Sequence, residues 1–253
     1  MELTYALVRE PSPKMDQGQL THLDQQDMSP QLARVQWHSY CDILRDFTEV
    51  VEVEPTPELP DSIFVEDTVF TYGNLAVKTK MHPTRIQEQE SLVRVLVERG
   101  FDVVDLPQGA HLEGGDCLKF GGKVWVGLST RSNKAGVDAL QRHLDPMGVE
   151  VVGVPVERAL HLKSCLTALP DGTFISHRDY APPAQHFPGL RYVEEFLGTQ
   201  VVIVDEKTLL MSASAPKTTR YLRAEGFEVL TTPMTEIEKM EGSVTCLSVR
   251  VRR

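Results

Sequence analysis

The order in which helical, apolar and polar segments recur constrains the fold of this 253-residue chain more than any other feature of its sequence. A helical segment, a short apolar strand, a polar loop and one or two further strands return about every 50 residues. One copy runs from a helix at 84–98 through FDVVDLP, HLEGGDCLKF and KVWVGLS, and the next from a helix at 132–147 through EVVGVPV, HLKSCLTAL and TFISH. Repeats of this size are typical of modules arranged in a ring. Because the copies share little residue identity, an α/β sandwich without symmetry is the alternative.

Local signals place the boundaries of these segments. Helices are predicted at 29–47, with Ser29 as N-cap and Pro30 at the first helical position, and at 216–225. The apolar runs are short, rich in β-branched residues and bounded by turn formers, as in strands of a partly buried sheet. The last module contains FEVLTTP and VTCLSVRV, and TYALVR from the N-terminus would complete it and tie the ring shut. Because no Pro/Gly/Ser-rich linker interrupts the pattern, residues 1–253 are predicted to form one domain.

The charge balance disfavours several classes of partner. The formal net charge is -10, from 36 acidic and 26 basic residues. Nucleic acids and anionic membrane surfaces are bound through clustered Lys and Arg, so neither is an expected partner. A small cationic substrate is compatible with such a chain. Neither a Walker-type nor a Rossmann glycine loop appears, so there is no nucleotide signature.

Several features favour a cytoplasmic location. No apolar run approaches the roughly 20 residues that cross a bilayer. The N-terminal sequence MELTYALVREPSP lacks the basic start and apolar run of a secretory signal. The four cysteines are widely spaced, without a CxxC pair or a His/Cys cluster. They are therefore expected to be reduced thiols, and a structural zinc site is not expected.

Four polar clusters lie at equivalent places in the repeat, each beside a strand. They are PDSIFVEDTVF with Asp61, Glu66 and Asp67, HLEGGDCLKF with Glu113 and Asp116, HLKSCLTAL with His161, and EGSVTCLSV with Cys246 in an otherwise ordinary strand. In a closed ring these places converge near the axis. The repeat therefore predicts one pocket that contains a thiol, an imidazole and several carboxylates.

This set of groups suits chemistry on a guanidinium. A thiolate is a strong nucleophile, and a neighbouring histidine can lower its pKa or transfer protons. Carboxylates beside a thiol would normally raise its pKa, so their presence is explained by a cationic substrate. A guanidinium is planar, and its N–H groups pair with carboxylates. Each group also has a structural explanation by itself: a buried strand cysteine for Cys246, an interior histidine for His161, and turn or surface roles for Asp61, Arg85 and Arg131. The combination is what favours a catalytic site.

The motifs PDSIFVED, EGGD, HLKSCLTAL and SVTCLSV resemble those of the dimethylarginine dimethylaminohydrolases, which are guanidine-modifying enzymes of the pentein fold. The resemblance covers essentially the whole chain in order and spacing, including TRSN after KVWVGLS and LTHL near the start. It implies a single closed ring, a five-bladed pseudo-symmetric α/β propeller with the active site on its axis. It also implies hydrolysis of N-methylated L-arginine to L-citrulline and methylamine or dimethylamine.

The resemblance assigns three catalytic roles at matching positions. Cys246 would attack the guanidinium carbon, and the product of that step would be a covalent thiouronium. His161 would protonate the departing amine and then activate water. Glu113 would grip the guanidinium and support His161. No cofactor or metal is implied, although Cys246 and His161 could capture zinc incidentally.

Seven further residues are assigned to substrate binding by the same matching. The carboxylates of the first cluster would meet the guanidinium or the α-amino end, and the two arginines would bind the α-carboxylate. The remaining pocket contacts would come from the N-terminal loop, where MDQGQLTHL carries an extra residue or two, and from the backbone near the C-terminus. The set is Leu20, Asp61, Glu66, Asp67, Arg85, Arg131 and Met240. Family likeness also makes a homodimer plausible.

Rival functions remain open at this level. Arginine deiminase performs the same chemistry on unmethylated arginine, and EGGD fits it slightly better. Deiminases, however, follow the catalytic histidine with HLDT, whereas this chain has Lys163 in HLKS. The loss of one carboxylate leaves room for methyl groups and favours a methylated substrate. Amidinotransferases resemble the chain less because they are longer. A thiol protease would not explain the carboxylates, and a non-catalytic pentein binding module would not require Cys246 and His161.

Overall fold

In the computed structural model, which describes residues 3–252, the first strand of the chain lies in the same sheet as the last. Leu3–Val8 pairs antiparallel with Val249–Arg252 and parallel with Glu49–Glu52. The prediction that TYALVR completes the final module is confirmed. The two ends of the chain therefore hold each other in one sheet, as a closed ring requires.

The strands are short, as the apolar runs predict. Those of the first half are β1 Leu3–Val8, β2 Glu49–Glu52, β3 Val69–Tyr72, β4 Leu75–Lys78, β5 Asp102–Asp105, β6 Cys117–Phe120, β7 Lys123–Leu128 and β8 Glu150–Pro155. Those of the second half are β9 Leu166–Ala168, β10 Phe174–His177, β11 Leu190–Val193, β12 Val201–Ile203, β13 Thr208–Ser212, β14 Glu228–Thr232 and β15 Val249–Arg252.

These strands form five sheets with one shared topology. Each sheet has three strands: β3-β4-β5, β6-β7-β8, β9-β10-β11, β12-β13-β14 and β15-β1-β2. In every sheet the first strand is antiparallel to the second, and the second is parallel to the third. The expected five-module, pseudo-symmetric α/β arrangement is confirmed.

Helices connect the second strand to the third in four of the five sheets. The helices are α1 Pro30–Arg45, α2 Glu90–Glu98, α3 Lys134–Leu144, α4 Leu162–Cys165, α5 Pro216–Ala224 and α6 Thr235–Glu238. The connections are made by α1, α2, α3 and α5, while the β10–β11 connection contains only a short 3-10 turn at Ala184–His186. The predicted cap is present, since Ser29 Oγ accepts a hydrogen bond from the Leu32 N–H at 3.2 Å. The predicted helix 84–98 is α-helical only from Glu90, because Pro83–Gln89 forms 3-10 turns.

Five apolar cores hold neighbouring sheets together. Each core contains buried side chains from two successive sheets and from a helix between them, and the fifth joins the last sheet to the sheet of the termini. In that fifth core Ala6 and Val8 of β1 meet Val202 and Leu210 of β12 and β13, with Trp37 of α1. Burial of apolar surface therefore continues around the whole ring.

The first strands of the five sheets surround an axial channel. Residues of β3, β6, β9, β12 and β15 all line this cavity, whose volume is about 1100 Å³. A tight turn precedes each of the five strands, and the four polar clusters lie in or beside four of these turns. Cys246 is one such turn residue, so its prediction as a strand residue is wrong: β15 begins only at Val249, and the Cys246 N–H donates to the Ser243 carbonyl at 3.1 Å. Because Cys246 lies in a turn, the direction of its thiol does not follow the alternating side-chain directions of a strand.

Among residues 3–252, no helix is both long enough and apolar enough to cross a lipid bilayer.

Candidate active site

A small cavity lies at the end of the ring formed by the strand-preceding turns. Eight of the ten side chains predicted for the site line it: Asp61, Asp67, Arg85, Glu113, Arg131, His161, Met240 and Cys246. They come from six separate segments of the chain, and the ring topology brings them together. The convergence predicted from the repeat is confirmed.

The candidate nucleophile is a half-buried thiol held by its backbone. The Cys246 carbonyl accepts from the Glu66 N–H at 3.2 Å, so the turn of Cys246 is fixed to the turn of the first cluster. Burial raises the pKa of Cys246, and the carboxylates of Glu66 and Asp67 raise it further. The thiol is therefore protonated at neutral pH in the empty cavity.

The candidate acid–base group is an imidazole between two carboxylates. His161 Nε2 lies 2.7 Å from Glu113 Oε2, and His161 Nδ1 lies 3.9 Å from Asp67 Oδ1. Burial alone would lower the pKa of His161, but Asp67 and the hydrogen bond with Glu113 outweigh it and raise this pKa to about 9. Burial would raise the pKa of Glu113, yet the hydrogen bond with His161 lowers it. At neutral pH the pair is therefore an imidazolium and a carboxylate.

The two glycines of EGGD permit this close approach. A Cβ atom on Gly115 would lie 2.6 Å from His161 Nδ1 and 2.8 Å from Asp67 Oδ1. A Cβ atom on Gly114 would lie 1.9 Å from the carbonyl oxygen of Glu66. Neither distance is possible for a side chain, so backbone at both positions packs directly against the neighbouring turns.

Asp116, which belongs to the second polar cluster, is a buried carboxylate that joins three segments. Its Oδ2 accepts from the hydroxyls of Ser129 and Ser132, each at 2.7 Å, and its Oδ1 accepts from the Leu162 N–H at 2.9 Å. Leu162 directly follows His161 and begins α4. Asp116 therefore fixes the backbone that presents His161.

The two predicted arginines differ in how free their guanidinium groups are. Arg85 is buried, and its Nε, Nη1 and Nη2 all donate within the protein. Its partners are Glu88, at 2.9 to 3.1 Å, and Asp67, at 3.1 Å. Arg131 is more accessible, with its Nη2 3.0 Å from Thr21 Oγ1 and its Nη1 3.8 Å from Glu113 Oε1. Arg131 is the better placed of the two to bind an incoming anionic group.

An N-terminal loop covers part of the cavity and is held by two carboxylates. The Gln19 N–H lies 3.2 and 3.3 Å from the two oxygens of Asp61. The Glu241 carboxylate accepts from the backbone N–H groups of Thr21, His22 and Leu23. Glu241 has a φ of 59°, which is unusual for a residue other than glycine.

Two predicted residues lie elsewhere. Leu20 packs against the core that contains Trp37, and the neighbouring Gln19 lines the cavity instead. Glu66 lines the axial channel, where it forms ion pairs with Lys163 at 2.8 Å and Arg250 at 2.6 Å. Successive residues of a turn point in different directions, so Asp67 faces the cavity whereas Glu66 faces the channel. The placement of both Leu20 and Glu66 in the pocket is corrected.

Further residues line the cavity that were not predicted. They are Gln19, Phe64, Leu160, Ser164, Glu241 and Gly242. Most of them lie within three residues of a predicted one. Glu88 does not line the cavity, but its i,i+3 spacing to Arg85 could have predicted their ion pair. Gln19 required knowledge of the loop conformation, which the inserted residues change.

The same groups suit two kinds of cation. Ligand atoms of Asp67, Glu113 and His161 lie within 4.8 Å of one another, as a divalent metal would require. Two carboxylates and a thiol around a buried cavity also suit a guanidinium, whose N–H donors would meet the carboxylates while its carbon faces sulfur. The position of Cys246 in the same cavity favours the second arrangement, because a nucleophile is then opposite the bound cation.

Comparisons with known proteins agree with the geometry. Residues 10–175 match the family profile described as "N,N dimethylarginine dimethylhydrolase, eukaryotic". The chain is 41% identical, over 249 residues, to an N(G),N(G)-dimethylarginine dimethylaminohydrolase of Streptomyces coelicolor, with coverage of 98% of this chain and 96% of the relative.

Solved structures share the fold. A dimethylarginine dimethylaminohydrolase from Pseudomonas aeruginosa, a cysteine-to-serine mutant in complex with citrulline, superposes with a TM-score of 0.90 at 24% identity and covers 99% of this chain and 100% of that one. The N-terminal domain of ArgZ, a cyanobacterial arginine dihydrolase, superposes with a TM-score of 0.88 at 24% identity, covering 100% and 98%.

Proposed function

Because the chain belongs to the dimethylarginine dimethylaminohydrolase family, we propose that it hydrolyses N-methylated L-arginine to L-citrulline and methylamine or dimethylamine. The observation that carries this proposal is the convergence of Cys246, His161, Glu113 and Asp67 on one small cavity. A nucleophile, a proton donor and two carboxylates in one place are what attack on a bound guanidinium needs.

Substrate binding activates the nucleophile in this proposal. In the empty cavity burial and two carboxylates keep Cys246 protonated. A guanidinium between Asp67 and Glu113 offsets the charge of Asp67, one of those two carboxylates, and lowers the cost of forming a thiolate beside it. The thiol proton then leaves to solvent. The sulfur becomes reactive only when its target is present.

The chemistry then proceeds in two halves. Cys246 sulfur adds to the guanidinium carbon, and His161, as the imidazolium, gives its proton to the methylated nitrogen, which leaves as a neutral amine. The remaining species is a thiouronium. Neutral His161 next accepts a proton from water, and the hydroxide adds to the same carbon. The adduct loses its hydroxyl proton to solvent as it collapses, which releases citrulline and the Cys246 thiolate. His161 ends protonated, as it began.

Recognition of the amino-acid end is assigned to polar groups around the rim. Arg131 is proposed to bind the α-carboxylate, with Asp61 near the α-amino group. Arg85 lines the cavity beside them, and its tight pairs with Glu88 and Asp67 favour a role in holding Asp67 in place. Met240 and Gln19 would close the apolar side.

A methylated substrate is proposed over arginine. The residue that follows His161 by two positions is Lys163, which pairs with Glu66 at 2.8 Å in the channel and not in the cavity. No carboxylate therefore comes from that position to bind an unmethylated nitrogen. The space near His161 is left for methyl groups.

The setting of the enzyme is also proposed. The five modules are taken as one catalytic domain, because their cores follow one another around the ring. All four cysteines are free thiols, which suits a reducing cytoplasm. A homodimer is proposed by family likeness alone.

The test is citrulline formation from asymmetric dimethylarginine, monomethylarginine and arginine, each with the wild type, Cys246→Ser and Cys41→Ala. Citrulline from a methylated substrate, lost in Cys246→Ser and kept in Cys41→Ala, is expected, because Cys41 does not line the cavity. Citrulline mainly from arginine would move the function to a deiminase. Turnover above traces in Cys246→Ser would overturn the nucleophile assignment.

A further inference from the structure

The axial channel and the candidate active site are separate spaces in the same ring. No residue lines both cavities within the described part of the chain, although sequence neighbours often divide between them. Glu66, Lys163 and Thr245 face the channel, whereas the adjacent Asp67, Ser164 and Cys246 face the cavity. The channel, at about 1100 Å³, is large enough for a small-molecule ligand.

The inner wall of this channel carries an excess of positive charge. Four cations line it from β6, α4 and β15, and among residues 3–252 Glu66 is the carboxylate that stands between them. The cations are Lys119, Lys163, Arg250 and Arg252. Further charges of both signs stand on the turns and strand ends at the mouth: Lys123, Asp205, Glu206, Lys207 and Glu228. A cluster of cations in the interior is notable because the chain as a whole has a net charge of -10.

Strand alternation explains why these cations share one space. Arg250 and Arg252 are two residues apart on β15, so both face the channel while Val249 and Val251 are buried in the core behind the strand. On β6, Lys119 faces the channel and Leu118 packs in a core on the other side. The alternation of side chains along the strands nearest the axis therefore places these cations in the channel.

The available negative charge is already divided between two cations. Glu66 Oε1 accepts from Lys163 at 2.8 Å and from Arg250 at 2.6 Å. The Lys119 ammonium donates to a neutral acceptor, the Thr71 carbonyl, at 2.8 Å and lies 5.5 Å from the Phe70 ring centre. Within residues 3–252, no carboxylate lies within ion-pair distance of Lys119. Among residues 3–252, the positive charge of Lys119 is therefore not balanced by a neighbouring carboxylate.

We propose that the axial channel is a binding site for a small phosphate-class polyanion, held by Lys119 together with Lys163 and Arg250. Cations that approach from different walls suit a tetrahedral oxyanion, whose oxygens point in several directions. The ligand would supply the negative charge that Glu66 alone does not, and it would bind independently of the proposed hydrolase activity.

The titration of Lys119 gives this proposal a pH dependence. Enclosure by the channel wall, followed by the charges of Lys163, Arg250 and Arg252, lowers the pKa of Lys119 to about 7. The channel is also lined by the titratable groups of Cys117, Glu66 and Tyr72, and at strand ends and turns by Lys123, Asp205, Glu206, Lys207 and Glu228. Below pH 7 Lys119 is charged and attracts an anion; above it the charge is lost. A bound anion would in turn raise the pKa of Lys119.

The first test is isothermal titration calorimetry with inorganic pyrophosphate at low ionic strength, on the full chain. Saturable binding at one site is expected, with Lys119→Gln weakening it at least about tenfold, since a charge-assisted contact contributes about 1.5–3 kcal/mol. Lys134→Gln is the matched control, because Lys134 lies on α3 and pairs with Asp138 on the surface. Absence of saturable binding to the wild type, or equal affinity in Lys119→Gln and wild type, would overturn the proposal.

The second measurement separates loss of the site from misfolding of the variant. Sulfate keeps its double charge across pH 6 to 9, so any pH dependence of its binding belongs to the protein. Wild-type affinity for sulfate should fall as the pH rises through about 7, and Lys119→Gln should bind weakly with a flat profile. A wild-type profile that is equally flat would contradict the role of Lys119.

Discussion

At the scale of single residues, the chemistry of the site depends on how neighbours set the protonation of two groups. Cys246 and His161 both have raised pKa values, for opposite reasons. Carboxylates disfavour the charged form of a thiol and favour the charged form of an imidazole. The empty enzyme therefore holds a thiol and an imidazolium, and a bound cation is required before the sulfur ionises. This explains why acidic residues surround a nucleophilic cysteine.

Glu113→Gln tests the link between His161 and its carboxylate. Loss of the negative charge at 2.7 Å should lower the pKa of His161 from about 9 towards its usual value. Turnover should fall about 10²–10⁴-fold, the usual contribution of general acid–base catalysis, and its alkaline limb should move to lower pH. Titration of the His161 ring by NMR, assigned with His161→Gln, measures the shift. An unchanged pKa in Glu113→Gln would reject the coupling.

The same residue makes stability depend on pH. The folded-state pKa of His161, about 9, lies above the ordinary histidine value, about 6.5, so the folded protein binds this proton more tightly. The stabilisation is complete below the unfolded value and is lost as the pH rises through the folded one. Urea unfolding of wild type and His161→Gln between pH 6 and pH 10 should show this alkaline loss only in the wild type. Parallel curves would argue against a protonated His161.

At the scale of elements, the turns before the inner strands determine the site. Three of the five turns direct one side chain to the cavity and its neighbour to the channel, as Glu66 and Asp67 do. The backbone at positions 114 and 115 packs directly against the neighbouring turns, which is why glycine occupies both positions. Asp116 then joins one turn to the next through the Leu162 N–H.

Gly115→Ala tests this packing. The added methyl would lie 2.6 Å from His161 Nδ1, so the imidazole must move. A misplacement of about 1 Å can cost about 10²-fold in rate, and we expect a loss of this size in kcat with the fold intact by circular dichroism. Gly121→Ala is the matched control: its φ of 60° makes alanine strained, but a Cβ there meets no atom within 4 Å. Equal loss of activity in both variants would refute the steric explanation.

At the scale of the whole molecule, stability follows from a ring of cores with no terminal module. The N-terminal strand β1 is the central strand of the last sheet, between β15 and β2. Because each core is shared by two sheets, a substitution that destabilises one core should destabilise the whole ring.

Leu7→Ala tests this cooperativity. Leu7 is fully buried in the core between the sheet of the termini and the first internal sheet, so its truncation should cost about 2–5 kcal/mol. Trp37 and Trp125 lie in two other cores and report separately in single-tryptophan variants, Trp125→Phe and Trp37→Phe. Leu7→Ala should shift both urea midpoints equally. A shift seen by one tryptophan alone would contradict the single domain.

The sequence by itself determined the order of helix, strands and polar turn in the module and most of the site. Periodicity, caps and turn residues are local, so helix α1, its cap at Ser29 and the completion of the last module by TYALVR could be read from them. Motif spacing was sufficient to bring Cys246, His161, Glu113 and Asp67 into one cavity, because every module places its turn at the same end.

Only the tertiary structure decided which way each turn residue points. Glu66 and Asp67 are adjacent and chemically alike, yet one pairs with Lys163 and Arg250 in the channel and the other lies beside His161. The sequence also did not predict the conformation of the turn before β15 or the contacts of Gln19. These features depend on contacts with residues that are distant in sequence. Packing and hydrogen bonds determine the direction of each side chain, and local sequence patterns do not predict them.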